Sequence, residues 1–159
     1  MENGIGPDEA ATLVAAASRA AAWAYAPYSA FHVGAALLAD SGRVYAGCNV
    51  ENASYGLSIC AERAAVSAAV SAGEHAFRAV AVVGHRAVRV PAPADHGPAA
   101  ITGGECLPCG ACRQVLTEFC HDDMPVLTED AAGAIRWRRL GDLLPEAFRL
   151  PGPVPGKPG

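Results

Sequence analysis

The sequence has no apolar run near the roughly 18 residues that a helix needs to cross a bilayer, so it offers no candidate membrane span. It also has no basic region at its start. Met1-Glu2-Asn3-Gly4-Ile5-Gly6-Pro7-Asp8 precedes an Ala-rich segment, which therefore does not read as a secretory signal. Positive charge is scarce: 12 basic residues stand against 16 acidic ones, for a formal net charge of −4, with no basic patch interleaved with aromatics. Nucleic-acid binding draws much of its affinity from a basic footprint, so no nucleic-acid partner is expected. Internal repeats are absent too. What remains, 159 residues with 52% apolar and 18% charged, suits one compact domain, expected to be soluble and cytoplasmic. In a reducing compartment its six cysteines are expected to serve metal binding or redox chemistry rather than disulfides.

Cys109 and Cys112 lie one helical turn apart, so both sulfurs can reach the same atom, a spacing shared by zinc and redox sites. Cys60-Ala61-Glu62 elsewhere in the chain, and Pro108 directly before the pair, favour metal. Three thiolates suit a borderline-soft ion such as zinc, and a carboxylate two residues from one of them can lie beside the metal without ligating it. Zinc with three protein ligands keeps a fourth position for water and lowers that water's pKa to about 7. Glu62 would then move the protons; the alternative is a structural carboxylate at a helix start. Cys106 extends the pattern to Cys106-x-x-Cys109-x-x-Cys112, but an iron–sulfur run would need a fourth cysteine where Val115-Leu116 stand. Cys106 is therefore left out of the ligand set. Cys48 and Cys120 read as small buried hydrophobes, and His75, His85, His96 and His121, which lack metal spacing, as surface residues. Zinc with three thiolates carries a formal charge of −1; Arg63 bonded to a ligand sulfur would offset it, unless it is simply a solvated arginine.

Asp8 to about Trp23 has apolar residues at helical spacing, with Asp8 as the expected cap. Phe31–Ala39 reads as a buried strand, Asp40–Arg43 as a turn, and Arg43–Cys48 as its antiparallel partner. Asn49-Val50-Glu51 follows as an extended polar stretch whose alternate residues share a face. Ser58–Ala72 is expected to be a helix with Cys60 and Glu62 in its first turn, where free N–H groups stabilise thiolate. Phe77–Val83 is a second buried strand. Ala87–Leu107, rich in proline and glycine, is expected to be irregular. A helix over about Cys109–Cys120, strands at Pro125–Leu127 and Ile135–Trp137, and a last helical stretch over Leu140–Phe148 broken by Pro145 complete the pattern. Residues 1–150 are expected to form one domain and the Pro/Gly-rich 151–159 a disordered tail. Strands alternating with helices imply an α/β fold with a mixed sheet.

Four segments together resemble the cytidine deaminase family, in its free-nucleoside branch: Cys60-Ala61-Glu62-Arg63, Pro108-Cys109-Gly110-Ala111-Cys112-Arg113-Gln114, Phe31-His32-Val33-Gly34-Ala35-Ala36 and Asn49-Val50-Glu51-Asn52-Ala53-Ser54-Tyr55-Gly56. The resemblance runs from about Tyr28 to Phe148, apart from the 87–107 segment. It implies a three-layer α/β fold with a five-stranded mixed sheet between helices. It also implies hydrolytic deamination of cytidine and 2′-deoxycytidine at C4, with ammonia released, as in pyrimidine salvage. One zinc per chain would be held by Cys60, Cys109 and Cys112, with Glu62 as proton shuttle and Arg63 bonded to a ligand sulfur. Phe31 would stack on the pyrimidine, with plain core packing as its alternative. Asn49 and Glu51 would bind the ribose hydroxyls, and backbone groups at Ala61 the pyrimidine edge. The resemblance further implies a homotetramer in which Phe148 reaches a neighbour's pocket. His32 stands where many relatives have proline, and Arg149 where many have glycine. A deaminase of another aminated nucleoside, such as blasticidin S or a nucleoside-antibiotic intermediate, is the alternative substrate reading. The Asn49–Asn52 element counts against it. A non-catalytic structural zinc protein is the alternative of another class; it would need a fourth protein ligand and has no use for Glu62.

Overall fold

Phe31–Ala39 (β1) buries its last six residues, so both faces of this strand must be covered. In the computed structural model, which describes residues 4–87, 101–102 and 105–151, side chains of alternate parity enter two separate cores. Ala36 and Leu38 meet Leu13, Val14 and Ala17 of the helix Pro7–Ala21 (α1). Ala35, Leu37 and Ala39 meet Ala65, Val66 and Ala69 of the helix Ala61–Ser71 (α2), with Leu116 of the helix Gly110–Thr117 (α3) in the same core. The result is a sheet between helical layers.

The main path of the sheet runs β2 (Val44–Cys48), β1, β3 (Phe77–Ala87), β5 (Pro125–Glu129), β6 (Ile135–Arg139). The β3–β5 pair is parallel and the others antiparallel, which makes the sheet mixed, as expected. A two-residue strand, β4 (Ile101–Thr102), pairs with Arg86 and Ala87 at the end of β3. Two glycines set how closely the helices approach. A Cβ on Gly34 would stand 1.9 Å from the Ala17 carbonyl oxygen, and one on Gly47 2.5 Å from the Ala65 nitrogen, so α1 rests on β1 and α2 on β2 backbone against backbone.

Several boundaries differ from the sequence expectation. Asp8 is not the cap of α1: Pro7 opens the helix, Gly6 is the cap residue, and its N–H donates to Glu9 at 3.2 Å. The α1 helix ends at Ala21 rather than Trp23. The second helix begins at Ala61, not Ser58, so Cys60 is its cap residue rather than part of its first turn. The third spans Gly110–Thr117 with Cys109 as its cap, shorter than expected at both ends. The return strand starts at Val44 instead of Arg43. Strand β3 continues past Val83 to Ala87, since Phe31 and His32 pair with Arg86 and His85. The last helix, α4, is only Leu140–Leu143. The segment expected to be irregular over 87–107 thus carries strand at Ala87 and at Ile101–Thr102; 88–100 and 103–104 lie outside the described residues, as does the tail from 152 onward.

Candidate active site

Two helix N-termini converge above one end of the sheet. Cys60 caps α2 and Cys109 caps α3, both with extended backbone, and Cys112 follows one turn into α3. Their three sulfurs lie within 4.8 Å of one another: Cys60 to Cys109 is 3.9 Å and Cys109 to Cys112 is 3.5 Å. Tetrahedral ligands at a Zn–S distance of about 2.3 Å stand about 3.8 Å apart, so the three thiols fit a zinc ion. Among the described residues this is the one cluster of histidine, cysteine, aspartate or glutamate groups suited to a metal. The expected set of Cys60, Cys109 and Cys112 is therefore brought together.

The surroundings favour thiolate. Hydrogen bonding from the Cys112 thiol, helped by Arg63 and Cys109, pulls the Cys60 thiol down to about 5. Its hydrogen bond to Cys60 and its burial push the Cys112 thiol up, so the proton of the pair stays on Cys112 while Cys60 is the thiolate. Arg63 Nη2 donates to the Ser58 carbonyl at 3.1 Å and lies 3.8 Å from Cys60 Sγ. Cys106 lies near but is not a member: burial pushes its thiol up to about 11, in the direction of the neutral form. Glu62 is the second residue of α2 and only 4% exposed, and burial raises its carboxyl above the usual range.

A cavity of about 480 Å³ adjoins the cluster; Cys60, Ala61, Glu62 and Cys109 line it together with Asn49 and Glu51. The Asn49–Glu51 segment is held on both sides. Tyr25 N donates to the Asn49 carbonyl at 3.0 Å and Glu51 N to the Tyr25 carbonyl at 2.8 Å, while Val50 and Ile59 exchange two backbone bonds of 2.9 Å. The Asn49 side chain continues the β2 ladder past Cys48. Its Oδ1 accepts from Val33 N at 2.8 Å and its Nδ2 donates to the Phe31 carbonyl at 2.9 Å. Glu51 Oε2 accepts from Tyr28 N at 2.9 Å and Ser29 N at 3.2 Å, and Oε1 accepts from the Ser29 hydroxyl. The Ser29 hydroxyl and these N–H groups hold the Glu51 carboxyl below its usual range, in the charged form.

Phe31 is half-buried and is not among the residues lining this cavity; its ring tip sits with Cys106 over Gly84, where a Cβ would come within 2.8 Å of both side chains. Phe148 is 71% exposed and away from the cavity. Ser29, Tyr28, Tyr55, Cys106 and Leu107 line the cavity without having been singled out as site residues in the sequence, although Ser29 and Tyr28 lie in the same segment as Phe31. Glu105, directly before Cys106, is pinned to the far strands by Arg138, 2.9 Å from Nη2 to Oε2, and by the buried Thr128 hydroxyl. His85, read as a surface residue, is half-buried. Its Nε2 is buried with no hydrogen-bond partner among the described residues.

Comparison with known proteins agrees with this geometry. The model of the cytidine and deoxycytidylate deaminase zinc-binding region matches residues 7–128. A cytidine deaminase of Sporosarcina psychrophila is 46% identical over 136 residues, covering 86% of this chain and 88% of that protein. One from Mycobacterium tuberculosis (strain CDC 1551 / Oshkosh) is 49% identical over 135 residues, covering 84% and 85%. The crystal structure of cytidine deaminase from Burkholderia pseudomallei superposes with a TM-score of 0.72 at 46% identity, over 87% of this chain and 98% of that one. The three-thiol cluster, the buried glutamate beside it, and a family match spanning most of the chain place this protein in the cytidine deaminase family of zinc-dependent hydrolytic enzymes.

Proposed function

We propose that the protein converts cytidine and 2′-deoxycytidine to the corresponding uridines with release of ammonia. The observation that carries this is that one cavity is lined both by Glu62 with Cys60 and Cys109 of the thiol cluster and by the polar side chains of Asn49 and Glu51. Cys60, Cys109 and Cys112 would hold the zinc ion, which when bound would lower the pKa of a water to about 7 and so supply a nucleophile at neutral pH. Glu62, buried beside the ligand cluster, would take up a proton on its carboxylate and deliver it to N3 of the pyrimidine, which makes C4 open to attack by water. Glu62 would then carry the proton of the new C4 hydroxyl to the exocyclic nitrogen, so that the C4–N bond breaks, the C4 carbonyl forms and ammonia leaves. Burial that raises the Glu62 carboxyl brings its proton affinity nearer to the working pH, which suits a group that must take and give a proton in each turnover.

At the sugar end, Asn49 has both its carbonyl oxygen and its amide committed to β1, which leaves one N–H and one lone pair. Glu51 has three of about four acceptor positions filled. One donor from Asn49 and one acceptor on Glu51 complement a single hydroxyl, which supports a nucleoside substrate and tolerance of a missing 2′-hydroxyl. In this reading backbone groups at Ala61, a buried residue of the cavity lining, hold the pyrimidine edge. The same reading has Phe31 stack on the pyrimidine, although it is not among the residues lining the cavity, and Arg63 offset the charge of the thiolates.

The same reading takes residues 1–150 as one domain of a cytoplasmic homotetramer in pyrimidine salvage, with Phe148 reaching a neighbouring subunit. No helix among the described residues is long and apolar enough to cross a membrane. Ammonia release from a panel of cytidine, 2′-deoxycytidine, cytosine and other aminated nucleosides tests the substrate assignment. Cytidine and deoxycytidine should react and cytosine poorly, since a site built to bond a hydroxyl rejects the analogue lacking it by about 10⁴-fold or more. Turnover of cytosine equal to that of cytidine would sink the assignment.

A further inference from the structure

The Glu51 carboxylate, which lines the cavity, is gripped by a turn 22 residues away in sequence. Ser29 is the centre of that turn. Its hydroxyl has a single proton, which it donates to Glu51 Oε1, and it accepts the Phe31 N–H at 3.0 Å. Its own N–H, with that of Tyr28, fills Glu51 Oε2. The next residue, Ala30, has φ +53°, a left-handed conformation that a non-glycine residue adopts only when its neighbours impose it. Ser29 also lines the cavity, between the carboxylate and the strand that carries Phe31. With the serine in place, the carboxylate is fixed about two axes and keeps one acceptor position, on Oε1.

Building on the sugar-end reading given above, we propose that Ser29 is a positioning residue for sugar recognition. Its hydroxyl locks the Glu51 carboxylate so that the remaining Oε1 lone pair faces a single substrate hydroxyl, and it ties that carboxylate to the start of β1 through Phe31 N–H. Without the hydroxyl, Oε1 gains a second open acceptor position, water fills it, and the carboxylate rotates more freely before substrate arrives. A loss of order should then fall on nucleosides that present the hydroxyl and spare those that do not. Ser29 touches no reacting atom, so kcat should change little.

The test compares the zinc-loaded parent, Ser29→Ala and Ser29→Thr on cytidine and on 2′,3′-dideoxycytidine. Ser29→Ala should raise KM for cytidine about tenfold, the equivalent of one hydrogen bond to a charged group, while kcat stays within about threefold. Its kcat/KM for dideoxycytidine should match the parent's. Ser29→Thr keeps the hydroxyl and should restore cytidine KM. Where Ser29→Ala does not fold, Ser29→Cys, a weaker donor of nearly the same size, carries the same comparison. Equal losses on the two nucleosides would reveal a merely structural role and overturn the proposal, as would no loss on either. A parent enzyme that treats the two nucleosides alike overturns the sugar reading itself, and the role of Ser29 with it.

Discussion

Cys60 and Cys109 begin two different helices, and their sulfurs stand 3.9 Å apart. Neither side chain makes the cap hydrogen bond that a serine or aspartate commonly makes at this position. A bound metal, with its thiolates facing both helix starts, accounts for that choice. Metal analysis should find one zinc per chain in the parent and a loss of it in Cys60→Ala, Cys109→Ala and Cys112→Ala. Cys106→Ala should keep its zinc, because burial favours the neutral thiol at that position. The reverse pattern, zinc lost with Cys106 and kept without Cys60, would show that the ligand set is wrong.

Glu62→Gln preserves size and the helix start while removing the proton acceptor. The variant should fold, bind zinc and lose turnover by at least about 10²–10⁴-fold, the usual worth of general acid–base catalysis, because the same carboxylate serves two transfers. Single-turnover measurement of ammonia release at saturating cytidine reads this directly. Activity within tenfold of the parent would assign the proton transfers to another group.

The ligand cluster and the two-sided burial of β1 were legible from the sequence because both are local patterns: Cys-x-Glu, Cys-x-x-Cys, and an unbroken apolar run. The edges of elements were less so. Gly84-His85-Arg86 looks like the end of a strand, yet β3 continues because β1 supplies Phe31 and His32 as partners, a pairing more than 50 residues apart. Asp8 looks like a cap, but Pro7 fits the first helical position and moves the cap to Gly6. In the site, Asn49 and Glu51 could be placed on one face by alternation. What no local pattern shows is that Asn49 serves as a strand partner to Phe31 and Val33, or that Ser29 occupies the carboxylate of Glu51. Arg149, a departure with no account from sequence, donates to the Thr117 carbonyl at 3.1 Å and pairs with Asp122, which fastens this segment to the last residue of α3 and the loop after it.

His85 lies directly across from His32 in the β1–β3 pair, with Glu129 on the neighbouring strand. Burial lowers its pKa below the usual histidine range; His32 lowers it further and Glu129 opposes the shift. The folded protein therefore holds His85 neutral at a pH where the unfolded chain already binds a proton. That difference makes stability fall as pH drops below the unfolded value of about 6.5. Thermal midpoints measured from pH 7.5 to 5 should fall more steeply for the parent than for His85→Val, since both proteins share every other acid-titrating group. Equal slopes would mean that His85 is solvated in both states.

The C-terminal segment is fastened to the helix that carries two zinc ligands. Gln114 donates to the Phe148 carbonyl at 2.7 Å and accepts its N–H at 3.2 Å, and Arg149 adds its two contacts one residue on. Held this way at both backbone atoms, Phe148 still leaves its ring 71% exposed, a poor arrangement for an isolated chain and a good one for a side chain meant for a neighbour. On the homotetramer proposed above, light scattering should give four times the chain mass of 16.2 kDa. Phe148→Ala should leave the assembly intact and lower kcat/KM for cytidine by about 5–100-fold, the range expected when a base loses an aromatic stacking partner worth about 1–3 kcal/mol. Gln114→Ala should produce a smaller loss of the same kind, because it loosens the backbone of Phe148 without removing the ring. A fully active monomer, or a Phe148→Ala tetramer with unchanged kcat/KM, would refute the role of this residue in a neighbouring site.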